Sequence, residues 1–163
     1  MLHRNIRTRR LLPIMPVLSL LQVACEPGAS HSAGYNDLLL QVQTNSTRAE
    51  VGKPIQVRFT ITNTGINKHT YILESPDTPV MDIVVDVVGG PELLAWSRQN
   101  LDKIQHRLEW KPGESKVIEL IWIPQPGDVY TGSYRNVFLT GLLYFNGKIV
   151  QSAGVTVCAS DVC

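Results

Sequence analysis

In "PIQVRFTITN", Pro54 to Asn63, apolar and polar residues take turns. Ile55, Val57, Phe59 and Ile61 alternate with Gln56, Arg58, Thr60 and Thr62. Side chains of a strand point to opposite faces in turn, so this pattern predicts a strand with one face buried and one wet. A helix would scatter the same four apolar residues around its circumference. The segment is a strand.

The period recurs outward from this segment in both directions. "DLLLQVQ" carries it with Leu38, Leu40 and Val42, and "SKVIELIW" with Ile118, Leu120 and Trp122. "MDIVVDV" has Met81, Ile83, Val85 and Val87 on one face, against Asp82 and Asp86, which read as solvated acids on the outer face. Turn residues separate the runs. Pro112-Gly113 and Pro126-Gly127 suit turns with a fixed φ followed by a positive one. Asn146-Gly147, between "LLYF" and "KIV", is a strong hairpin signal. No segment shows a sustained, capped 3.6-residue period. "WSRQNLDKIQHRLEW" reads either as a short helical turn or as a long connecting loop. Short strands at this spacing predict an all-β sandwich.

The N-terminal region has a different character. His3, Arg4, Arg7, Arg9 and Arg10 form a basic start without an acid, and the apolar run Leu11–Ala24 follows. At 14 residues that run falls short of the roughly 20 needed to cross a hydrocarbon core. A basic start and a short apolar core read as a signal peptide over residues 1–24. "LLQVACE" then resembles the lipobox of bacterial lipoproteins, with Ala24 before Cys25 and Gln22 where leucine is usual. The resemblance implies that the Cys25 thiol takes a diacylglyceryl group, and two acyl chains are what stable anchoring requires. The expected address is the bacterial cell envelope, lipid-anchored and outside the cytoplasm. The alternative is a soluble secreted protein cut near Ala29 or Ala33. "TRRLLP" also resembles a twin-arginine export motif, though any basic start contains such pairs.

Residues 25–36 read as the anchor site and a flexible tether, and residues 37–163 as one domain. The chain carries 15 basic and 14 acidic residues; removing the four arginines before Cys25 leaves 11 basic and a net charge near −3. No basic stripe remains to follow phosphates, so no nucleic-acid partner is expected. Cys158 and Cys163 in "CASDVC" are expected to pair in an oxidising compartment, closing a small ring worth roughly 2 kcal/mol. A metal site there lacks a second pair of ligands.

The order "VRFTITNTG", "MDIVVDVVGGPELLAWS", "LEWKPGESKVIELIW" resembles the intracellular proteinase inhibitor (BsuPI-like) domain family. The likeness rests on Asn63 and Gly65, on Asp82, Ile83 and Val85, on Gly90, Glu92, Leu93, Trp96 and Ser97, and on Pro112–Ser115 with Trp122. It departs at Leu94, where a second tryptophan is usual. The resemblance implies an immunoglobulin-like β-sandwich of about seven to nine antiparallel strands. It also implies inhibition of a subtilisin-type serine protease.

Candidate chemistry is sparse. His69 and His106 read as solvated residues at strand ends or loops, and no HExxH, Gly-x-Ser-x-Gly or phosphate-loop pattern occurs. No catalytic residue, cofactor or metal is expected. Trp122 reads as core, while Trp96 and Trp110 stay open between packing and a carbohydrate platform. Two proline-stiffened loops have the composition of a binding segment: "ESPDTPVM", with Pro76, Asp77 and Pro79, and "IPQPGDVYTGSY", with Pro124, Pro126 and Gly127. Two functions are therefore carried forward: an envelope binding or assembly module, and an inhibitor of a serine protease.

Overall fold

The computed structural model describes residues 28–65, 69–130, 132 and 135–162; the expected signal peptide, residues 1–24, and Cys25 and Cys163 lie outside them. The described chain is nearly all β. Its strands are β1 (Ser30–Tyr35), β2 (Leu38–Thr44), β3 (Ile55–Asn63), β4 (Tyr71–Glu74), β5 (Met81–Val87), β6 (Glu92–Ala95), β7 (Arg107–Trp110), β8 (Ser115–Trp122), β9 (Asn136–Phe145) and β10 (Lys148–Cys158). Between β6 and β7 lie a single helical turn, α1 (Trp96–Gln99), and a 3₁₀ turn, Leu101–Lys103. The open choice for that segment thus resolves to two short turns.

The strands form two antiparallel four-stranded sheets, β1-β2-β3-β8 and β10-β9-β5-β6, and a two-stranded ribbon, β4-β7. Ten strands among the described residues exceed the seven to nine expected. One addition is β1, whose residues read from sequence as tether. It pairs with β2 from Ser30↔Gln43 to Tyr35↔Leu38 around a two-residue turn, with Asn36 at φ 51°. Small polar residues carry no alternating signal. The pairing comes from the neighbouring strand's backbone.

β3 sets the core as its sequence requires: Ile55, Val57, Phe59 and Ile61 are buried, and their neighbours alternate outward. One cluster joins them to Leu40 and Val42 of β2, Leu120 and Trp122 of β8, and Ile83, Val85, Leu139 and Leu143 of the second sheet. All three tryptophans belong to it, including Trp96 and the fully buried Trp110, whose indole N–H donates to the Ile61 carbonyl (3.1 Å). A tryptophan platform for sugars is thereby removed.

β5 departs from its expected pattern. Met81 to Val85 are all buried, Asp82 among them. From sequence Asp82 reads as a solvated outer acid. In the fold α1 packs over that face of β5, and Asp82 turns inward to it. Asp86, further along, is half-buried.

The Pro-Gly turns also separate. Gly113 has φ 76°, as expected, whereas Gly127 is not in the left-handed region. Both turns nevertheless share one device. Glu114 N–H donates to the Lys111 carbonyl while a Glu114 carboxylate oxygen accepts from Lys111 N–H (2.8 Å). Asp128 and Gln125 make the same reciprocal pair, with the side-chain bond at 2.9 Å. The acid in the fourth position closes each turn.

Candidate functional site

The register places the loops at two ends of the body. β5 begins at Met81 opposite Leu143, beside the β9–β10 turn, and ends at Val87 opposite Val137. The Ser75–Val80 loop therefore lies at the end holding the 146–147 turn, where Asn146 N–H donates to the Glu74 carbonyl. The loop after β8 lies at the other end. There Gly52 N–H donates to the Pro124 carbonyl, and Tyr130 N–H to that of Ala159. The chain also enters at this second end, since Thr44 N–H donates to the Ala29 carbonyl. The two candidate loops are not brought together. A single surface cannot use both.

The 75–79 loop is braced from below. Ser75 is fully buried, its hydroxyl 2.5 Å from that of Thr78, and it accepts from Gly147 N–H at 3.0 Å. Ser75 N–H donates to the His106 carbonyl, and Val80 N–H to that of Gln105. His106 Nδ1 lies 3.0 Å from the Ser75 carbonyl and 2.9 Å from that of Thr78. Both partners only accept, so Nδ1 carries a hydrogen. His106 is exposed, as its sequence context predicts, yet it acts as a clamp. Above these bonds Pro76 and Asp77 are exposed and Pro79 is half-buried. The loop's prolines are legible in the sequence; the bracing of Ser75 and Thr78 by His106 is not, because the partners lie about 30 positions apart.

At the far loop Pro124 is buried, while Pro126 and Gly127 are exposed. Arg135 stacks over the Tyr130 ring, 3.5 Å from its centroid. Cys158 is held by Thr47 and Ala49 through paired backbone bonds. Its expected partner, Cys163, lies outside the described residues, as does the proposed lipidation site Cys25.

A second polar cluster lies where α1 meets β5. Asp82 Oδ1 accepts from Ile83 N–H (2.8 Å) and Ser97 N–H (2.9 Å), and Oδ2 accepts from the Ser97 hydroxyl (2.6 Å). Three donors satisfy a carboxylate that burial would otherwise penalise. Glu92 pairs with Arg98 at 2.9 Å. Burial raises the Tyr144 pKa above its ordinary value, and the charges of Asp82 and Glu92 raise it further. This cluster orients α1 on the sheet. No protein-family model, curated protein or solved structure matches this chain.

Asn63, in the quoted stretch, ends β3 as a buried polar plug. Its amide donates to the carbonyls of His69 (2.7 Å) and Trp110 (3.1 Å), and its oxygen accepts from Gly65 N–H. A Cβ on Gly65 would stand 3.0 Å from Asn63 Oδ1 and from Asp37 Oδ2. The Asn-x-Gly spacing is thus explained by close approach. Among the described residues no three His, Cys, Asp or Glu side chains converge to hold a metal ion. No helix among them is long and apolar enough to cross a membrane.

Proposed function

We propose that this chain is a non-enzymatic, lipid-anchored, immunoglobulin-like binding or assembly module of the bacterial cell envelope. The strand order supports this reading best. If β2, β3 and β8 stand for strands A, B and E, then β10-β9-β5-β6 runs as G-F-C-C′, the immunoglobulin arrangement. Such sandwiches present loops and edges on a rigid frame. The export signal and Cys25 support an address outside the cytoplasm. Ala29, tied to β2, follows Cys25 by four residues, a reach of about 14 Å when extended. An anchor at Cys25 would keep the chain-entry end near the lipid and turn the 75–79 loop away from it.

Labelling with a fatty-acid probe and detergent partition test the anchor. The native chain is expected to label and partition, and Cys25→Ala to do neither. Membrane retention of Cys25→Ala would overturn it. Pull-down from membranes tests the module, with a stoichiometric envelope protein as the expected result.

One observation favours the second reading, the BsuPI-like inhibitor. The 75–79 loop is exposed at its tip and braced at its base, and such preorganisation lowers the ordering cost of binding in a protease cleft. The inhibitor reading expects stoichiometric inhibition of subtilisin, lost on replacing Pro76 and Asp77 while thermal stability is kept. No inhibition across serine proteases would sink it.

A further inference from the structure

The two sides of the body are closed differently. On one side β1 lies against β10, and the Gln151 amide donates to the Gly34 carbonyl (2.6 Å). On the other side the edge strands are β8 and the four-residue β6. In the immunoglobulin order a strand D pairs with E on this side. Here the strand that precedes β8 in the chain is β7, and it pairs with β4 instead, from Tyr71↔Trp110 to Glu74↔Arg107. β8 is left as a sheet edge.

The register says which groups that edge presents. Asn63 N–H donates to the Glu114 carbonyl, so Lys116, Ile118, Leu120 and Trp122 bond toward β3. The alternate residues Val117, Glu119 and Ile121 turn their N–H and C=O groups outward. Their side chains lie on the outer face, where Val117 and Ile121 are 46% and 57% exposed. Natural edges of this length are usually covered, bulged or heavily charged.

Three hollows lie between this edge and the β6–α1 segment, the middle one walled by Arg58 and Glu119 and the outer two floored by apolar side chains. One of the outer two, of about 330 Å³, is lined by Met81, Trp96, Leu108 and Ile118, with Lys103 and Lys116 as its only charged residues. The other is lined by Leu93, Leu94 and Trp122, with Asp128 as its only charged residue. Lys103 Nζ is held by a neutral acceptor, Asn100 Oδ1 (3.1 Å), and Lys116 by Glu114 (2.5 Å).

We propose that an extended peptide of a partner protein adds to β8 in the vacant D position. Its backbone bonds to Val117, Glu119 and Ile121, and alternate apolar side chains fill the two outer hollows. An acidic residue beside the first of these faces Lys103 and Lys116. Main-chain bonds supply affinity in strand addition, and pockets for alternate side chains supply specificity. The cationic rim and apolar floor select an acidic-apolar strand. This inference rests on the binding-module reading and names its surface.

The test is selection of a random linear-peptide display library on the full chain. Recovered peptides are expected to alternate apolar residues and to carry Asp or Glu. Synthetic versions should bind at least about tenfold more weakly to Val117→Pro, which removes an outward N–H. Methylating alternate backbone nitrogens of the peptide should have the same effect, and this second arm leaves the protein unaltered. The pair Lys103→Glu and Lys116→Glu should discriminate against the acidic peptides only. Failure to recover such peptides, or binding indifferent to these changes, overturns the proposal. An envelope partner that binds native and Val117→Pro chains equally overturns it while leaving the module reading intact.

Discussion

The ring of Phe59 lies directly on the backbone of Gly141, and that contact sets how closely the two sheets approach. A Cβ on Gly141 would stand 2.3 Å from the Phe59 Cδ2 atom, far inside van der Waals contact. Both residues face the core from the centres of β3 and β9. Gly141→Ala is therefore expected to destabilise the fold by about 1–3 kcal/mol through overpacking, despite the better strand propensity of alanine. A thermal melt measures it. Pairing it with Phe59→Leu should recover part of the loss, and an unchanged melting temperature for Gly141→Ala would refute the contact.

Asp82 and Ser97 join the helical turn to the sheet through two of the three bonds that the carboxylate accepts. Removing a buried charged acceptor leaves its donors unpaired, so Asp82→Ala should cost about 1.5–3 kcal/mol. Ser97→Ala keeps the backbone bond and should cost less. A double-mutant cycle by urea denaturation should show coupling between the two. Additive losses would mean that the bonds carry no stability.

The β9–β10 turn holds Asn146 at φ 49° and Gly147 at φ 73°. A residue with a Cβ resists that region by roughly 1–2 kcal/mol, and a β-branched one resists it more. Gly147→Val should therefore lower stability, with Gly147→Asn intermediate. Because Gly147 N–H also meets the Ser75 hydroxyl, the Val variant should speed amide exchange in residues 75–79. Exchange confined to the hairpin would separate the turn from the loop.

Burial raises the Asp86 pKa above its ordinary 3.8. The folded chain thus holds this proton more tightly than the unfolded chain does. Its contribution to stability is fullest below 3.8 and is lost as pH rises through the folded value. Asp86→Asn should raise stability at neutral pH relative to the native chain and flatten the profile just above 3.8. Denaturation across that window checks it; a steeper profile in the variant would reverse the sign.

Cys158 is bound through its backbone to residues 47–49, so a bridge to Cys163 would fasten the tail to the chain-entry end. Exported protein should yield a tail peptide lighter than the dithiol by two hydrogens. A peptide taking up two alkyl groups without reduction would reject the bridge.

The strand period, the inner faces of β2, β3 and β8, and the Asn146-Gly147 hairpin are legible in the sequence. Each depends on neighbours within a few residues, where alternation and turn chemistry act directly. Long-range packing alone buries Asp82, makes residues 30–35 a strand and sets the two proline loops at opposite ends. It alone pairs β7 with β4, leaving the β8 edge open. Those outcomes depend on what packs across a face: α1 over β5, β2 beside β1, His106 beneath Ser75. A polar residue looks the same in sequence whether water or a distant donor satisfies it, and only the folded chain brings that donor within reach.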